Sequence, residues 1–261
     1  MKIITLNAWD LPLWFVPDRK ERISKIARYL KEFDADIICL QESFDPRHRR
    51  LLNTLLSAYQ TSDPDPRHRN IFFLSFDVTG GLVTFSKFPI ATNTFIPFSR
   101  FFLPPIEFLG RKGILMTLLD TPYGKLCVVN THLYDKGSLF DRAIRMSQIE
   151  SMFREIRAHG FMPTIIAGDF NIDNLFFDKE FLERMARNNF IHPFIKTVDP
   201  TYRKENFYAH VGMNRISRSK RLDYILHNDL SSLHLDISDY HVLYCDDPLS
   251  DHDPVVLEMA P

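Results

Sequence analysis

Short apolar runs that stop abruptly on Asn, Glu, His or Asp recur from one end of this chain to the other, and they constrain its fold more than any other feature. The clearest is Asp36-Ile37-Ile38-Cys39-Leu40-Gln41-Glu42, an uninterrupted apolar segment of the kind buried on both faces of a sheet, which ends in a carboxylate. Ile3 to Leu6 ends likewise on Asn7, and Thr164-Ile165-Ile166-Ala167 opens onto Gly168-Asp169-Phe170-Asn171. Helical periodicity separates these strands. Ile23, Ile26, Ala27, Leu30 and Phe33 follow Asp18 and Glu21, which predict a capping box, and Leu51 to Tyr59 reads as a second helix. A long helix is expected from Ser138 to His159, stopped by Gly160.

The remaining strands favour hairpins. Ile71 to Phe76 and Gly81 to Ser86 read as a pair, and Ile114 to Leu119 pairs with Lys125 to Asn130 around Thr121-Pro122-Tyr123-Gly124. Leu222 to Leu226, Tyr240 to Cys245 and Val255 to Glu258 complete the set. Helices interleaved with mostly hairpin-connected strands predict an α+β chain: two packed, mainly antiparallel sheets flanked by helices, a four-layer α/β/β/α sandwich. With 261 residues and 45% hydrophobic content the chain can fill such a core, so residues 1–261 are read as one domain.

Composition narrows the function classes. A formal net charge of −1 provides no global positive field to collect polyanions, although a local basic groove stays open. Cys39, Cys127 and Cys245 are far apart in apolar runs, matching neither a disulfide framework nor zinc spacing. No stretch reaches the roughly 20 apolar residues a spanning helix needs. Met1-Lys2-Ile3-Ile4 leads straight into the first strand, so no signal peptide is expected, and the location is read as cytoplasmic or exported without a visible signal. A monomer is expected.

Six segments place polar groups where strands stop: Asn7, Gln41-Glu42, Asn130-Thr131-His132-Leu133, Gly168-Asp169-Phe170-Asn171, Leu222-Asp223-Tyr224 and Ser250-Asp251-His252-Asp253-Pro254. A rigid sheet fixes such groups while the loops leave them open to a ligand. Such groups are the kind from which a hydrolytic site builds a cation clamp, a positioned water and stabilisation of developing charge. Glu42 offers a hard oxygen ligand suited to Mg²⁺. Asp169 and Asn171, two residues apart, can point to one side as acceptor and donor and hold a water between them.

The ordered set resembles the endonuclease/exonuclease/phosphatase superfamily, the fold of DNase I, apurinic endonucleases, deadenylases and neutral sphingomyelinases. Leu6-Asn7-Ala8-Trp9-Asp10-Leu11-Pro12 and Gly80-Gly81-Leu82-Val83-Thr84-Phe85-Ser86-Lys87-Phe88-Pro89-Ile90 look most like the neutral sphingomyelinase branch. The resemblance implies Mg²⁺, with Mn²⁺ or Co²⁺ as substitutes, held at Glu42 with help from Asn7 and Asp251. It implies that Asp169 orients or deprotonates water, that Asn171 contacts phosphate, that Asp223 fixes the His252 imidazole, and that His132 donates to the transition state. Lys112 is a phosphate-binding candidate by the same analogy. Whether His252 or Asp169 is the base stays open.

Two segments rich in aromatic residues and proline bear on the substrate: Trp9 to Pro17, carrying Trp14 and Phe15, and Phe95 to Leu109. Read as apolar loops, they either cover the sandwich or rim the site and dip into a lipid surface. Nucleic acid predicts Lys and Arg interleaved with stacking aromatics instead; the densest basic runs are Pro46 to Arg50 and Arg215 to Arg221. The expected activity is therefore sphingomyelin hydrolysis to ceramide and phosphocholine at a membrane surface. A DNase-like or apurinic endonuclease is the alternative, and a non-catalytic membrane-binding module on the same scaffold is a third.

Overall fold

A computed structural model describes residues 1–63, 65, 67–71, 74–99, 110–135, 140–160, 162–173, 175, 178–192, 199–211 and 216–261. Its elements open with β1 (Lys2–Asn7), α1 (Arg19–Phe33), β2 (Ile37–Gln41) and α2 (Pro46–Leu55). Short strands follow: β3 (Gln60–Thr61), β4 (His68–Ile71), β5 (Leu74–Asp77), β6 (Val83–Ser86) and β7 (Ile90–Pro97). Then come β8 (Gly113–Thr121), β9 (Gly124–His132), α3 (Asp141–Ala158), β10 (Thr164–Asp169) and α4 (Lys179–Arg187). The chain ends with β11 (Asp223–His227), β12 (Asp236–Val242) and β13 (Val255–Ala260).

Two sheets carry the fold, ordered β12-β13-β1-β2-β6-β3 and β11-β10-β9-β8-β7, with β4 and β5 as a separate ribbon. β1 with β2 and β9 with β10 run parallel; the other pairs are antiparallel. Alternation explains why the central strands read as unbroken apolar runs. Ile3, Ile37 and Cys39 point between the sheets against Val128, Ile165, Ala167 and Ile225, whereas Ile4, Leu6, Ile38 and Leu40 meet Ile23, Ile26, Ala27 and Leu30 of α1. On the far side, Ile149, Met152 and Phe153 of α3 and Phe181 and Met185 of α4 cover Val129, Ile166 and Leu226. The four layers α/β/β/α follow from these contacts.

Several expected elements differ. Asp18 lies in the left-handed region (φ 49°) and its side chain caps nothing; the loop before α1 is held instead by Arg22, whose guanidinium donates to the carbonyls of Pro17, Ala8 and Trp9. The second helix starts at Pro46, because Asp45 accepts from the Arg47 N–H and proline suits the first helical position. β6 pairs with β2 and β3, while β4 pairs with β5, so the predicted pairing of Ile71–Phe76 with Gly81–Ser86 does not form. β12 lies earlier than Tyr240–Cys245. Phe95 belongs to edge strand β7, whose proline sits at its end, and Phe98 enters the core, so that part of the second apolar segment is not a loop. Residues 100–109 of that segment, with Ser138, Leu139, Phe72, Phe73 and Arg215, lie outside the described residues.

Candidate active site

The ends of β1, β2, β9 and β10 meet at one edge of the two-sheet core. Asn7 ends β1, Glu42 follows β2, and His132 and Asp169 are in register at the parallel ends of β9 and β10. Asp169 also faces Asp223 across the antiparallel β10–β11 pair. Gly168 makes this approach geometrically feasible. At φ 152°, a Cβ there would sit 1.9 Å from the Thr131 carbonyl oxygen, so no larger residue fits without moving the parallel pair.

The side chains converge. The Asn7 amide donates to Glu42 Oε1 at 3.2 Å and to Asp169 Oδ2 at 3.0 Å, while its own oxygen accepts from the Trp9 N–H at 3.0 Å. His132 Nε2 lies 3.7 Å from Glu42 Oε1 and 3.6 Å from Asp169 Oδ2. His252 Nε2 lies 3.8 Å from Asp169 Oδ2, and its Nδ1 is 2.8 Å from Asp223 Oδ2. The Asn171 N–H donates to Asp169 Oδ1 at 2.9 Å. Its side-chain amide and the Lys112 ammonium share the Leu133 carbonyl, at 3.0 and 2.8 Å. Asp251 is buried, accepting from Ser250 Oγ at 3.1 Å. Glu42, Asn171 and Trp9 all have positive φ, between 46° and 51°, a conformation that costs of order 1 kcal/mol or more per side-chain-bearing residue and concentrates at functional sites.

Access is uneven. The Glu42 side chain keeps 16% of its surface exposed, whereas His132 and Asp169 keep 2% each, so the site opens to solvent on the Glu42 side. Burial, reinforced by the charge of Asp251, pushes the Glu42 carboxyl up to about 8. Burial and then Asp223 push Asp169 up to about 7, against the opposing pull of His252, Lys112 and Asn7. Burial draws His252 down, but attraction to Asp223, Asp169 and Asp251 outweighs it and lifts the imidazole well above its usual range. His132 is driven well below its usual range by burial and by the nearby charges of Lys112 and His252, and is therefore neutral.

These groups suit a hard cation. Glu42 Oε2 and Asp223 Oδ1 are buried carboxylate oxygens with no hydrogen-bond donor among the described residues. Asp169, Asp223 and His252 also bring ligand atoms within 4.8 Å of one another, a buried set that could hold a metal ion. In that set Asp223 Oδ2 and His252 Nδ1 already engage each other, which leaves Glu42 the carboxylate with a free oxygen nearest solvent. Excess negative charge in a poorly solvated space is what a divalent cation relieves.

The other sequence candidates stand outside this constellation. Trp14 is 94% exposed, with Phe15 half-buried and edge-on at 5.7 Å. Their loop starts directly after Asn7 and is tied to the site at its base, where the Ala8 and Asp10 N–H groups donate to the carbonyls of Gln41 and Glu42. Trp9 and Val16 of the same loop are buried. The basic run Pro46 to Arg50 is largely consumed by structure: Arg49 is buried against Asp63 and Asp77, and Arg47 pairs with Asp45. Sequence reading placed Gln41 and Asn130 at strand ends without a role, and their amides hydrogen-bond at 2.8 Å between the sheets just behind Asn7; it missed Thr201, whose hydroxyl contacts Asp223. The strand-end pattern already pointed to the first two; Thr201 lies in irregular chain with no periodic signal.

Comparison with known proteins follows the same lines. The model of the Endonuclease/Exonuclease/phosphatase family matches residues 4–252. Inositol phosphosphingolipids phospholipase C of Schizosaccharomyces pombe is 30% identical over 187 residues, 67% of this chain and 42% of that protein. The chain spans less than half the length of the curated relatives it matches. Among solved structures, sphingomyelinase C from Streptomyces griseocarneus superposes with a TM-score of 0.71 at 19% identity, covering 98% of each chain. A mutant of beta toxin from Staphylococcus aureus, solved with bound magnesium ions, gives 0.68 at 17% identity, again over 98% of each chain. At such identities these two structures establish the likeness of fold.

Proposed function

The chain belongs to the endonuclease/exonuclease/phosphatase family, and from that premise we propose that it is a Mg²⁺-dependent phosphodiesterase acting on the head-group ester of a sphingophospholipid, with sphingomyelin, cleaved to ceramide and phosphocholine, as the first substrate to test. The observation that carries the reading is the convergence of Asn7, Glu42, His132, Asp169 and His252, drawn from both sheets, on one half-open space. The names of a phospholipase C among the relatives and a sphingomyelinase among the structural neighbours support the lipid side of it.

Each residue has a task in this account. Glu42 would hold the cation through its oxygen left without a donor among the described residues, with Asn7 and Asp251 assisting directly or through water; when bound, the cation would supply Lewis-acid stabilisation of charge on the phosphoryl oxygens. Asp169, fixed by Asn7 and the Asn171 N–H, orients the attacking water and takes its proton, for which a carboxyl raised to about 7 is well matched. His252 is charged and held by Asp223, so it donates to a phosphoryl oxygen. His132 is neutral and contributes as a donor through one ring nitrogen. Lys112 adds positive charge behind Asn171.

The exposed Trp14 beside Phe15, on a loop rooted at Glu42, supports contact with a lipid surface. A second reading, a nuclease, has one observation in its favour. A crevice of about 370 Å³ next to Asn171 is lined by Arg142, Arg145, Arg218 and Lys220 but also by Asp135, Asp141, Asp173 and Asp178; Arg145 and Lys220 have no carboxylate partner among the described residues and offer two donors to a further phosphate. Incubation with Mg²⁺ and sphingomyelin vesicles, vesicles of an inositol phosphosphingolipid, or labelled DNA separates the readings. Release of a phosphorylated head group supports the lipid reading; DNA cleavage with intact lipid replaces it.

A further inference from the structure

Thr201 is fully buried in the irregular stretch that follows Pro200, beside the start of β11. Its hydroxyl makes three hydrogen bonds. The N–H groups of Leu222 and Asp223 lie 3.0 and 3.1 Å from Oγ1, and Oγ1 lies 2.5 Å from Asp223 Oδ2. A hydroxyl has one proton and two lone pairs. With two amide donors occupying the lone pairs, the proton has one direction left, toward Asp223 Oδ2. That oxygen is the one 2.8 Å from His252 Nδ1, whereas Oδ1 has no partner among the described residues.

The same stretch also holds the loop that carries His252. The Thr201 carbonyl accepts from the Asp253 N–H at 2.7 Å, Arg203 forms a two-pronged ion pair with Asp253, and the Asn206 amide donates to the Ser250 carbonyl at 2.9 Å. The Tyr202 ring packs 5.0 Å from the His252 ring. Side chain and backbone of one residue thus reach both halves of the carboxylate–imidazole pair.

We propose that Thr201 is the positioning residue of that pair: its hydroxyl, pinned by two amides, fixes the rotation of the Asp223 carboxylate, and the carboxylate in turn aims His252 Nε2 at the space beside Asp169. The catalytic consequence rests on the phosphodiesterase reading above. Removing the hydroxyl leaves Asp223 with one hydrogen bond from imidazole and an open rotation, so the ring loses its fixed direction while the opening at Glu42 is untouched. Partners at this remove from the reacting atoms are typically worth about 10–100-fold in activity.

The test uses the full chain with Mg²⁺ and bis(4-nitrophenyl) phosphate, comparing wild type, Thr201→Val and Thr201→Ser. Val should lower kcat about 10–100-fold with KM within about twofold, and Ser, which keeps the hydroxyl, should stay within about threefold of wild type. Nitrogen NMR of His252 is read alongside, and needs no turnover. Wild type and Ser should show a protected proton on Nδ1, and Val should lose that protection. An inactive wild type would sink the functional reading while the NMR still decides the role of Thr201. A Val variant with wild-type kcat and an unchanged Nδ1 proton, or a folded Ser variant as impaired as Val, overturns the proposal. Should Val fail to fold, the wild-type spectrum decides: a slowly exchanging Thr201 hydroxyl proton near the His252 ring supports it, and a freely exchanging one overturns it.

Discussion

Asn7 and Asp169 end central strands of opposite sheets, and the Asn7 amide bonds the two at 3.0 Å while also reaching Glu42 at 3.2 Å. One neutral donor therefore separates two acids, the buried Asp169 and the half-buried Glu42. Asn7→Ala should leave those acids facing each other without a donor, lowering kcat about tenfold or more, and Asn7→Asp, which replaces the donor with a third carboxyl, should lower the metal-free melting temperature. Thermal unfolding with and without Mg²⁺ checks this; equal melting temperatures for wild type and Asn7→Asp contradict it.

The raised Glu42 carboxyl sets a pH dependence. Its value moves from an ordinary 4.5 to about 8 in the folded, metal-free chain, so the stability it contributes is present below about 4.5 and is lost as pH rises toward 8. Metal-free protein should therefore melt at progressively lower temperature between pH 5 and 8, and Glu42→Gln should flatten that slope. Mg²⁺ competes with the same proton, so its affinity should rise over this interval. Calorimetric titration at several pH values, showing affinity that is flat or falls, would remove Glu42 as the ligand.

Gly168 predicts a purely steric effect. An added Cβ meets the Thr131 oxygen at 1.9 Å in a conformation that side chains avoid, so Gly168→Ala should cost about 3 kcal/mol or more, lowering the melting temperature by roughly 10 °C. A melting temperature equal to wild type would mean that the β9–β10 pair gives way easily.

Trp14 and Phe15 should act at the lipid surface and nowhere else. Replacing both with Ser removes apolar area worth about 1.5–3 kcal/mol per fully buried ring, so vesicle binding should weaken by about tenfold or more. Hydrolysis of a soluble phosphodiester should be unchanged. Equal loss on both substrates assigns the pair to packing.

The strand ends were legible because a strand buried on both faces can place Glu42, His132 or Asp169 only where it stops, and that gives the sequence a repeated signature. The four-layer arrangement follows from the same runs, since Ile37 and Ile38 need opposite apolar partners. What escaped were groups whose partners are distant and aperiodic. Arg49 reads in the sequence only as part of a dense basic run, and Asp63 and Asp77 come to it through the fold, while Arg22 holds the loop after Asn7 through carbonyls that carry no sequence identity. Thr201 finds Asp223 across 22 residues of chain, so no local pattern could reveal its hydroxyl.

The most direct measurement is Mg²⁺-dependent release of the phosphorylated head group from sphingophospholipid vesicles by wild type and by Glu42→Gln, a substitution that keeps the shape and removes the charge. Wild-type turnover abolished by EDTA and restored by Mg²⁺, with the folded Gln variant slower by about a thousandfold or more, is the predicted result. A Gln variant that hydrolyses the lipid at the wild-type rate, or a wild type indifferent to EDTA, would contradict the account at its centre.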